Sequence, residues 1–185
     1  MDYPESTKVI VSEIGTVLTR VDNADVARFI RVITGAPNIF VIGVGRVMLM
    51  AQAFAKRLTH LGCSSYVVGE TTIPPIGGGD VLIACSGSGE TMTTVNIARL
   101  ARQHGAVVAA VTARRESALV GLATVTVVLP CPTKLHLAGE AASIQPMGSL
   151  FEQSLLIFFD SIAMMIKQDR ELTEEQLWKT HANLE

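Results

Sequence analysis

The stretch from Ser86 to Thr91 combines residue types that bind anions. Its glycines allow the backbone to fold closely around a ligand, and its hydroxyl groups can donate hydrogen bonds. An apolar run at 80–85 precedes it and a helical pattern at 89–104 follows, so the free N–H groups of a helix N-terminus add to the site. We predict a site for one phosphate monoester, made by Ser86, Gly87, Ser88 and Thr91. The alternative is an ordinary turn in which Ser88 caps the helix.

A second glycine-rich turn, Gly43 to Met48, follows another short apolar run. It is similar to the start of a dinucleotide-binding fingerprint, and an acidic residue, Glu70, follows the next apolar run. The sixth position is nevertheless Met48, where the fingerprint needs a small residue so that helix and strand pack closely. This mismatch disfavours a dinucleotide-binding site. We predict instead that Gly45, Arg46 and Glu70 contact a substrate. Arg46 either offsets the phosphate charge or lies on the surface, and Glu70 orients hydroxyl groups or pairs with an arginine across an interface.

Two glutamates have contrasting expected roles. Glu152 stands in an otherwise apolar helical pattern among Leu150, Phe151 and Leu155. An unpaired carboxylate is costly in such surroundings, so this residue is a candidate general base. The alternative is a glutamate at a helix N-terminus, stabilised by the helix dipole. Glu90 stands in the predicted phosphate site, where it would repel an anion, so we expect its side chain to point away and support the loop.

Histidine is the second residue type that could transfer protons near neutral pH. The candidates are His60 and His181. His60 stands just before Gly62, a position where histidine often interacts only with a helix C-terminus. His104 fits that alternative better still and is excluded. His181 lies in a polar tail, so it could act only if the tail crosses into the site of a neighbouring subunit.

Short apolar runs alternate with helical patterns through the middle of the chain. The predicted strands are 38–43, 65–68, 80–85, 106–111 and 124–129. The predicted helices between them are 47–61, 89–104 and a shorter one at 116–121. This alternation predicts a three-layer α/β fold, in which a five-stranded parallel sheet of order 2-1-3-4-5 has helices on both faces. In that order both glycine turns flank the switch point, where ligands bind.

The whole chain is predicted to form one domain over 1–185. Its parts are N-terminal helices in 1–34, the sheet core in 38–129, an interface helix in 146–168, and a C-terminal helix with a polar tail in 173–185. The leading helices are predicted at 5–19 and 23–33. Thr173 and Gln176 form a capping box for the last helix.

The helical pattern at 149–167 is apolar nearly all the way round, which a helix on the surface of a monomer cannot be. We therefore expect it to lie in a subunit interface. A loop long enough to have a functional reason precedes it and contains Pro130, Pro132, Gly139 and Pro146.

Composition and charge argue against several classes of protein. The 185 residues carry a formal net charge of −2 without a basic stripe, so no nucleic acid is expected as a partner. Cys63, Cys85 and Cys131 are odd in number and widely spaced, which argues against a disulfide framework and a zinc site and favours a reducing cytoplasm. We expect no signal peptide and no apolar run of membrane-spanning length, hence no membrane. Because 49% of the residues are apolar, we expect subunits to bury some of this surface.

The strand followed by Ser-Gly-Ser-Gly-Glu-Thr resembles the phosphate-binding turn of the sugar isomerase (SIS) fold family. Further stretches resemble one branch, the 6-phospho-3-hexuloisomerases, over nearly the whole chain. They are Phe54-Ala-x-Arg-Leu-x-His60-x-Gly62, Val68-Gly-Glu-Thr-Thr72, Gln145-Pro-Met-Gly-Ser-Leu-Phe-Glu-Gln153 and His181-Ala-Asn-Leu-Glu185. The resemblance implies conversion of D-arabino-3-hexulose 6-phosphate into fructose 6-phosphate, the second step of the ribulose monophosphate route of formaldehyde fixation. It also implies a homotetramer with active sites near subunit borders and no metal or organic cofactor.

The resemblance also implies roles for single residues. The phosphate ligands would be Ser86, Ser88 and Thr91. Glu152 stands where the family has its proposed base, and His60 and His181 match family histidines. Moving a carbonyl from C3 to C2 requires removal of a proton from carbon, an enediolate, and return of a proton to the neighbouring carbon, for which one carboxylate suffices.

The first glycine turn departs from the family pattern Gly-x-Gly-Arg-Ser-Gly. Val47 and Met48 replace the serine and the last glycine, so a hydroxyl group is missing and Met48 is expected to narrow the pocket. If that hydroxyl bound a buried substrate oxygen, its loss would cost about 1 to 3 kcal/mol. Two alternatives to the implied activity remain: isomerisation of another phosphorylated ketose, and binding of a sugar phosphate without turnover.

Overall fold

The computed structural model describes residues 1–133 and 142–184 and contains a five-stranded parallel sheet with helices on both faces. The strands are β1 (Ile39–Ile42), β2 (Ser65–Val67), β3 (Val81–Ser86), β4 (Val107–Thr112) and β5 (Val125–Val128). The helices are α1 (Tyr3–Leu18), α2 (Asn23–Thr34), α3 (Arg46–His60), α4 (Met92–Gln103), α5 (Ser149–Asp169) and α6 (Glu174–Lys179). The strand order is β2-β1-β3-β4-β5, so the predicted fold class and strand order are confirmed.

The apolar runs form strands because both of their faces are covered. Every residue of β1 and β3 is buried, as expected of a parallel sheet between two helical layers. Side chains of α1, α2, α3 and α5 fill the core on one face, and α4 with Leu119 fills the other. Ile42 of β1 lies beside Ala84 of β3, so the loops after both strands leave the sheet at the same edge.

Many of the apolar side chains of helix α5 are buried by packing inside its own chain. Phe159 stacks on Phe54 of α3 with ring centroids 4.1 Å apart, and Phe158 meets Phe29 of α2 edge to face. Its exposed large apolar side chains are Ile157, Met164 and Met165. Internal packing therefore explains most of the pattern, and the position in a subunit interface stays a prediction.

The same helix is long and apolar enough to cross a membrane by length and composition alone. It has 21 residues, and 56% of its most apolar window is buried inside the protein. The expectation that no segment reaches membrane-spanning length is therefore wrong. A core helix meets the same criterion, and the buried aromatic residues of α5 are typical of one.

The helical segments that follow β3 and β4 differ most from their predicted bounds. The helix expected at 116–121 is only a 3₁₀ turn over Val120–Leu122. Helix α4 begins at Met92 rather than at position 89. Gly89 has a φ of +68°, a left-handed conformation that a right-handed helix does not contain, so the helix starts after it.

The ends of the outer helices follow their local sequence signals. Asp22 accepts hydrogen bonds from two backbone N–H groups at the start of α2. The capping box formed by Thr173 and Gln176 at the start of α6 is confirmed.

The part of the predicted loop that contains Gly139, and the terminal Glu185, lie outside the described residues.

Candidate active site

A cleft of about 650 Å³ lies where β1 and β3 end, at the switch point of the sheet. Both glycine turns contribute to its wall, together with the segment before α5 and the first turn of α5. The predicted site residues that line it are Gly45, Arg46, Ser86, Gly87, Ser88, Thr91 and Glu152. Its volume falls in the range of pockets that bind small molecules.

Ser86 holds the turn after β3 in shape. Its side chain is buried, its Oγ lies 2.9 Å from Oγ1 of Thr91, and this Oγ accepts a hydrogen bond from the N–H of Gly89 at 3.1 Å. A Cβ on Gly89 would lie 2.1 Å from Oγ of Ser117, so only glycine fits there. Because Ser86 is engaged within the turn, the partly exposed Ser88 and Thr91 carry the hydroxyl groups that a ligand reaches more easily.

The first turn of α4 has the second feature expected of the predicted phosphate site. Thr91 is the N-cap residue, and its side chain makes no capping hydrogen bond. The first backbone N–H groups are therefore available to a ligand, and the helix dipole favours negative charge beside them. Ser88 instead accepts a hydrogen bond from the N–H of Glu90 at 3.2 Å, so the alternative in which Ser88 caps α4 is wrong.

Glu90 points away from this anion site. Its carboxylate accepts a hydrogen bond from the backbone N–H of Ala118 at 3.0 Å. The side chain thereby ties the turn to the loop after β4, and its expected orientation and supporting role are confirmed.

Glu152 lies in the first turn of α5 and is paired with Arg46. Its carboxylate is 3.2 Å from the Arg46 guanidinium, which also donates a hydrogen bond to Oγ of Ser149 at 3.3 Å. Glu152 is only 8% exposed, whereas the Arg46 side chain is 59% exposed. Arg46 is therefore the counter-ion of a buried carboxylate, which neither of its two predicted roles included. The dipole of α5 favours the same negative charge.

Val47 and Met48 have different surroundings. Val47 lines the cleft, so an apolar side chain stands where the resemblance expects a hydroxyl group. Met48 is not part of that wall and packs against the apolar cores on both faces of the sheet. The expectation that Met48 narrows the pocket is wrong, whereas Val47 lies where a ligand in the cleft would contact it.

His60, His181 and Glu70 do not line the cleft of the single chain. Helix α3 begins at Arg46 and ends at His60, and its 15 residues place the two ends about 21 Å apart. The ring of His181 stacks on His60 with centroids 5.1 Å apart, at that far end. Glu70 is exposed in the loop after β2. The roles of these three residues stay predictions, and the two histidines would need a second subunit to share a site with Arg46.

Several contributors to the cleft were missed in the sequence. Ser149 stands one helical turn before Glu152, a spacing that could have revealed it. A Cβ on Gly87 would lie 3.3 Å from the ring of Phe151, so glycine allows the turn and α5 to approach closely. Cys85 also lines the cleft, and burial raises the pKa of its thiol, which keeps the group protonated and unreactive.

The cysteines form no covalent link in the described chain. Cys63, Cys85 and Cys131 are free, and burial raises the pKa of Cys131 to about 12. Within residues 1–133 and 142–184, no three His, Cys, Asp or Glu side chains come together as a possible metal site.

The strand order, the predicted phosphate turn after β3 and the carboxylate in the same cleft are the features of an α/β protein suited to a small phosphorylated ligand. The SIS domain family matches residues 32–157. The chain belongs to this family, in the branch that contains the 3-hexulose-6-phosphate isomerases.

Three relatives support this placement. The 3-hexulose-6-phosphate isomerase of Bacillus subtilis is 36% identical over 185 residues, covering 100% of each chain. That of Mycobacterium gastri is 37% identical over 184 residues, covering 100% of this chain and 92% of its own. The crystal structure of a Methanococcus jannaschii protein, from which a function as 3-hexulose-6-phosphate isomerase was inferred, matches with a TM-score of 0.85 and 32% identity over 98% of this chain and 99% of its own. The resemblance found in the sequence is confirmed.

Proposed function

We propose that this chain is an isomerase that converts D-arabino-3-hexulose 6-phosphate into fructose 6-phosphate through an enediolate. The observation that carries the proposal is that one cleft holds both an anion-binding turn and a buried carboxylate paired with an arginine. Full-length relatives named 3-hexulose-6-phosphate isomerase support this choice of substrate. Substrate and product have the same composition, so the reaction only moves protons within one molecule.

The substrate phosphate binds at the N-terminus of α4. Ser88 and Thr91 donate hydroxyl hydrogen bonds, backbone N–H groups of the turn donate others, and Ser86 keeps the turn in shape. Gly87 leaves room for Phe151, so this turn lies against the first turn of α5. Anchoring the phosphate therefore holds the carbon chain of the sugar close to Glu152, which reduces the entropic cost of the reaction.

Glu152 removes the proton from C2 and returns a proton to C3. The electrons of the broken C–H bond form the C2=C3 double bond, and the carbonyl oxygen O3 takes up the negative charge. Transfer of the O2 proton to O3 then allows a carbonyl to form at C2 as C3 is protonated. Because the two carbons are adjacent, one carboxylate can serve both.

Arg46 stabilises the charge that leaves the carboxylate for the sugar oxygens. Its guanidinium already lies beside Glu152, and Gly45, the N-cap residue of α3 with a φ of +62°, lines the cleft next to it. A guanidinium remains protonated, so it supplies charge rather than a proton. Another group must therefore carry the proton between O2 and O3, and His60 and His181 of a neighbouring subunit are the candidates.

A coupled assay tests the activity. A hexulose-phosphate synthase makes the substrate from formaldehyde and ribulose 5-phosphate, and the appearance of fructose 6-phosphate is followed. We expect turnover by the wild type, and a loss of about 10²- to 10⁴-fold in kcat for Glu152→Gln with fructose 6-phosphate still bound. Glu175→Gln makes the same chemical change at an exposed position of α6 and should leave kcat unchanged.

The isomerase function and the assignment of Glu152 as the base can be contradicted independently. Absence of turnover by the wild type would contradict the isomerase function, whereas wild-type kcat in Glu152→Gln would contradict only the assignment of the base.

A second candidate function is the isomerisation of another phosphorylated ketose, and the observation that favours it is Val47 in the wall of the cleft. Val47→Ser restores the hydroxyl group of the family pattern. If only this variant acts on 3-hexulose 6-phosphate, the wild-type pocket serves another sugar phosphate. Binding of fructose 6-phosphate without turnover by either protein would indicate a sugar-phosphate-binding protein without catalysis.

The proposal includes a homo-oligomer, expected to be a tetramer, that works in the reducing cytoplasm. Exposed apolar side chains on α1 and α5 support the association; they are Val11, Ile157, Met164 and Met165. The free cysteines are compatible with a reducing compartment. Sedimentation equilibrium measures the mass of the assembly, and a monomer at assay concentration would contradict a site shared between subunits.

A further inference from the structure

Glu13, on α1, holds the segment that leads into α5. Its carboxylate accepts hydrogen bonds from Oγ of Ser143 at 2.6 Å, from Nε2 of Gln145 at 2.8 Å and from the backbone N–H of Ile144 at 3.2 Å. Hydrogen bonds to an ionised group are stronger than those between neutral groups. One side chain therefore binds two side chains and a main-chain group that lie at least 130 residues further along the chain.

The held segment continues directly into a wall of the cleft. Pro146, Met147 and Gly148 line the cleft, and the N–H of Ser149 donates to the carbonyl of Pro146 at 3.0 Å. The N–H of Glu152 donates to the carbonyl of Gly148 at 3.1 Å, so the base is bonded to this segment. Met147 has a φ of +45°, which is unfavourable for a methionine and requires the surrounding structure to hold it.

We propose that Glu13 is a positioning residue for the reaction: by holding Ser143, Ile144 and Gln145 it fixes the start of α5, and with it the direction in which Glu152 meets the substrate. This inference rests on the proposed function. Glu13 does not line the cleft, so it acts only through the segment that it holds. The phosphate turn belongs to β3 and α4, so loss of the contact affects the chemical step more than binding of the phosphate.

A purely structural role for Glu13 leads to a different expectation. Helix α5 is anchored along its length by buried aromatic residues, including the stacked pair Phe54 and Phe159, and these do not depend on Glu13. Loss of the Glu13 contacts should therefore loosen the start of α5 and leave the folded core intact. A residue that served stability alone would instead lower Tm and leave the kcat of the folded enzyme unchanged.

Glu13→Gln tests the inference, because it keeps the size of the side chain. Its NH₂ group would face at least one of the groups that now donate hydrogen bonds to the carboxylate. We expect kcat to fall by about ten- to a hundredfold while KM changes by less than about threefold, since a small misplacement of a reacting group is costly. The backbone amide of Ile144 should exchange with solvent faster. Glu175→Gln makes the same chemical change at an exposed position of α6. It should leave kcat, KM and the exchange rate of the Ile144 amide unchanged.

A double-mutant cycle with Ser143→Ala adds an internal check. Because Glu13 and Ser143 share one hydrogen bond, the loss of kcat in the double variant should be smaller than the product of the two single losses. Wild-type kcat in Glu13→Gln, or a fall in Tm with kcat unchanged, would overturn the positioning role alone. A wild type without turnover would overturn the isomerase function together with it.

Discussion

At the scale of single residues, the pair Arg46 and Glu152 meets a structural and a chemical requirement together. A buried carboxylate needs a partner, and the partner here is itself largely exposed at the cleft, where a substrate can contact it. Ser149 accepts a hydrogen bond from the same guanidinium and so helps to orient it. Loss of the arginine would leave this carboxylate buried without its counter-ion, so the pair contributes to stability as well as to the proposed function.

Arg46→Met should therefore lower kcat by about 10²-fold or more, because a positive charge beside the developing enediolate is lost. We expect the free energy of unfolding to fall by about 1 to 3 kcal/mol, since the buried Glu152 carboxylate loses its counter-ion. Arg46→Lys keeps the charge and should recover part of the activity. Kinetics and urea unfolding measure the two effects, with the exposed Arg20→Met as control, and wild-type kcat in Arg46→Met would refute the role of the guanidinium.

At the scale of elements, the turn between β3 and α4 is shaped by contacts from two directions. Ser86 holds it from within, and Glu90 ties it to the loop that follows β4 through Ala118. Gly89 allows this geometry because its φ is positive and the space beside it is filled by Ser117. The start of α4 thereby lies beside the cleft at Thr91, where we propose that the phosphate binds.

Gly89→Ala should lower the free energy of unfolding by about 2 to 4 kcal/mol, because it adds left-handed strain to a steric clash. The affinity for fructose 6-phosphate should fall as well, since the turn must shift to admit the methyl group. Gly121→Ala is the matched control, because a Cβ there would meet nothing within 4 Å. Urea unfolding and calorimetric titration measure both effects. Equal stability of the two alanine variants would refute the packing argument.

At the scale of the whole molecule, the first helix is joined to the segment that leads into the wall of the cleft. Burial raises the pKa of the Glu13 carboxyl, but hydrogen bonds from Ser143, Gln145 and the N–H of Ile144 together outweigh it, so the pKa lies below the ordinary value. Besides packing against α5, helix α1 therefore holds, through an ionised carboxylate, the segment that continues into the wall of the cleft.

This lowered pKa makes part of the stability depend on pH. The unfolded chain takes up the proton at a higher pH than the folded protein, so the contribution of Glu13 is complete above the ordinary value of 4.5 and is lost as pH falls through the folded pKa. Between about pH 6 and about pH 3, the free energy of unfolding should fall more steeply in the wild type than in Glu13→Gln. Urea unfolding over that range checks this, and parallel curves would refute it.

The sequence by itself determined the fold and located the turn that we propose binds phosphate. Both depend on local patterns: buried strands of a parallel sheet appear as short apolar runs, and Ser86, Gly87, Ser88 and Thr91 lie within six consecutive residues. Glu152 was also found locally, because a carboxylate is conspicuous in an apolar helix. The same local reading placed the start of α4 too early, since a helical pattern does not reveal the left-handed φ of Gly89.

Only the tertiary structure decided which side chains meet. The contact of Arg46 with Ser149 spans 103 residues and that of Glu13 with Ser143 spans 130, and no spacing rule connects such distant positions. The structure likewise placed His60 at the end of α3 far from Arg46, although both residues belong to one helix. The physical reason is that hydrophobic periodicity specifies which face of an element is buried, whereas the partner of a polar group depends on how the packed elements are oriented in space.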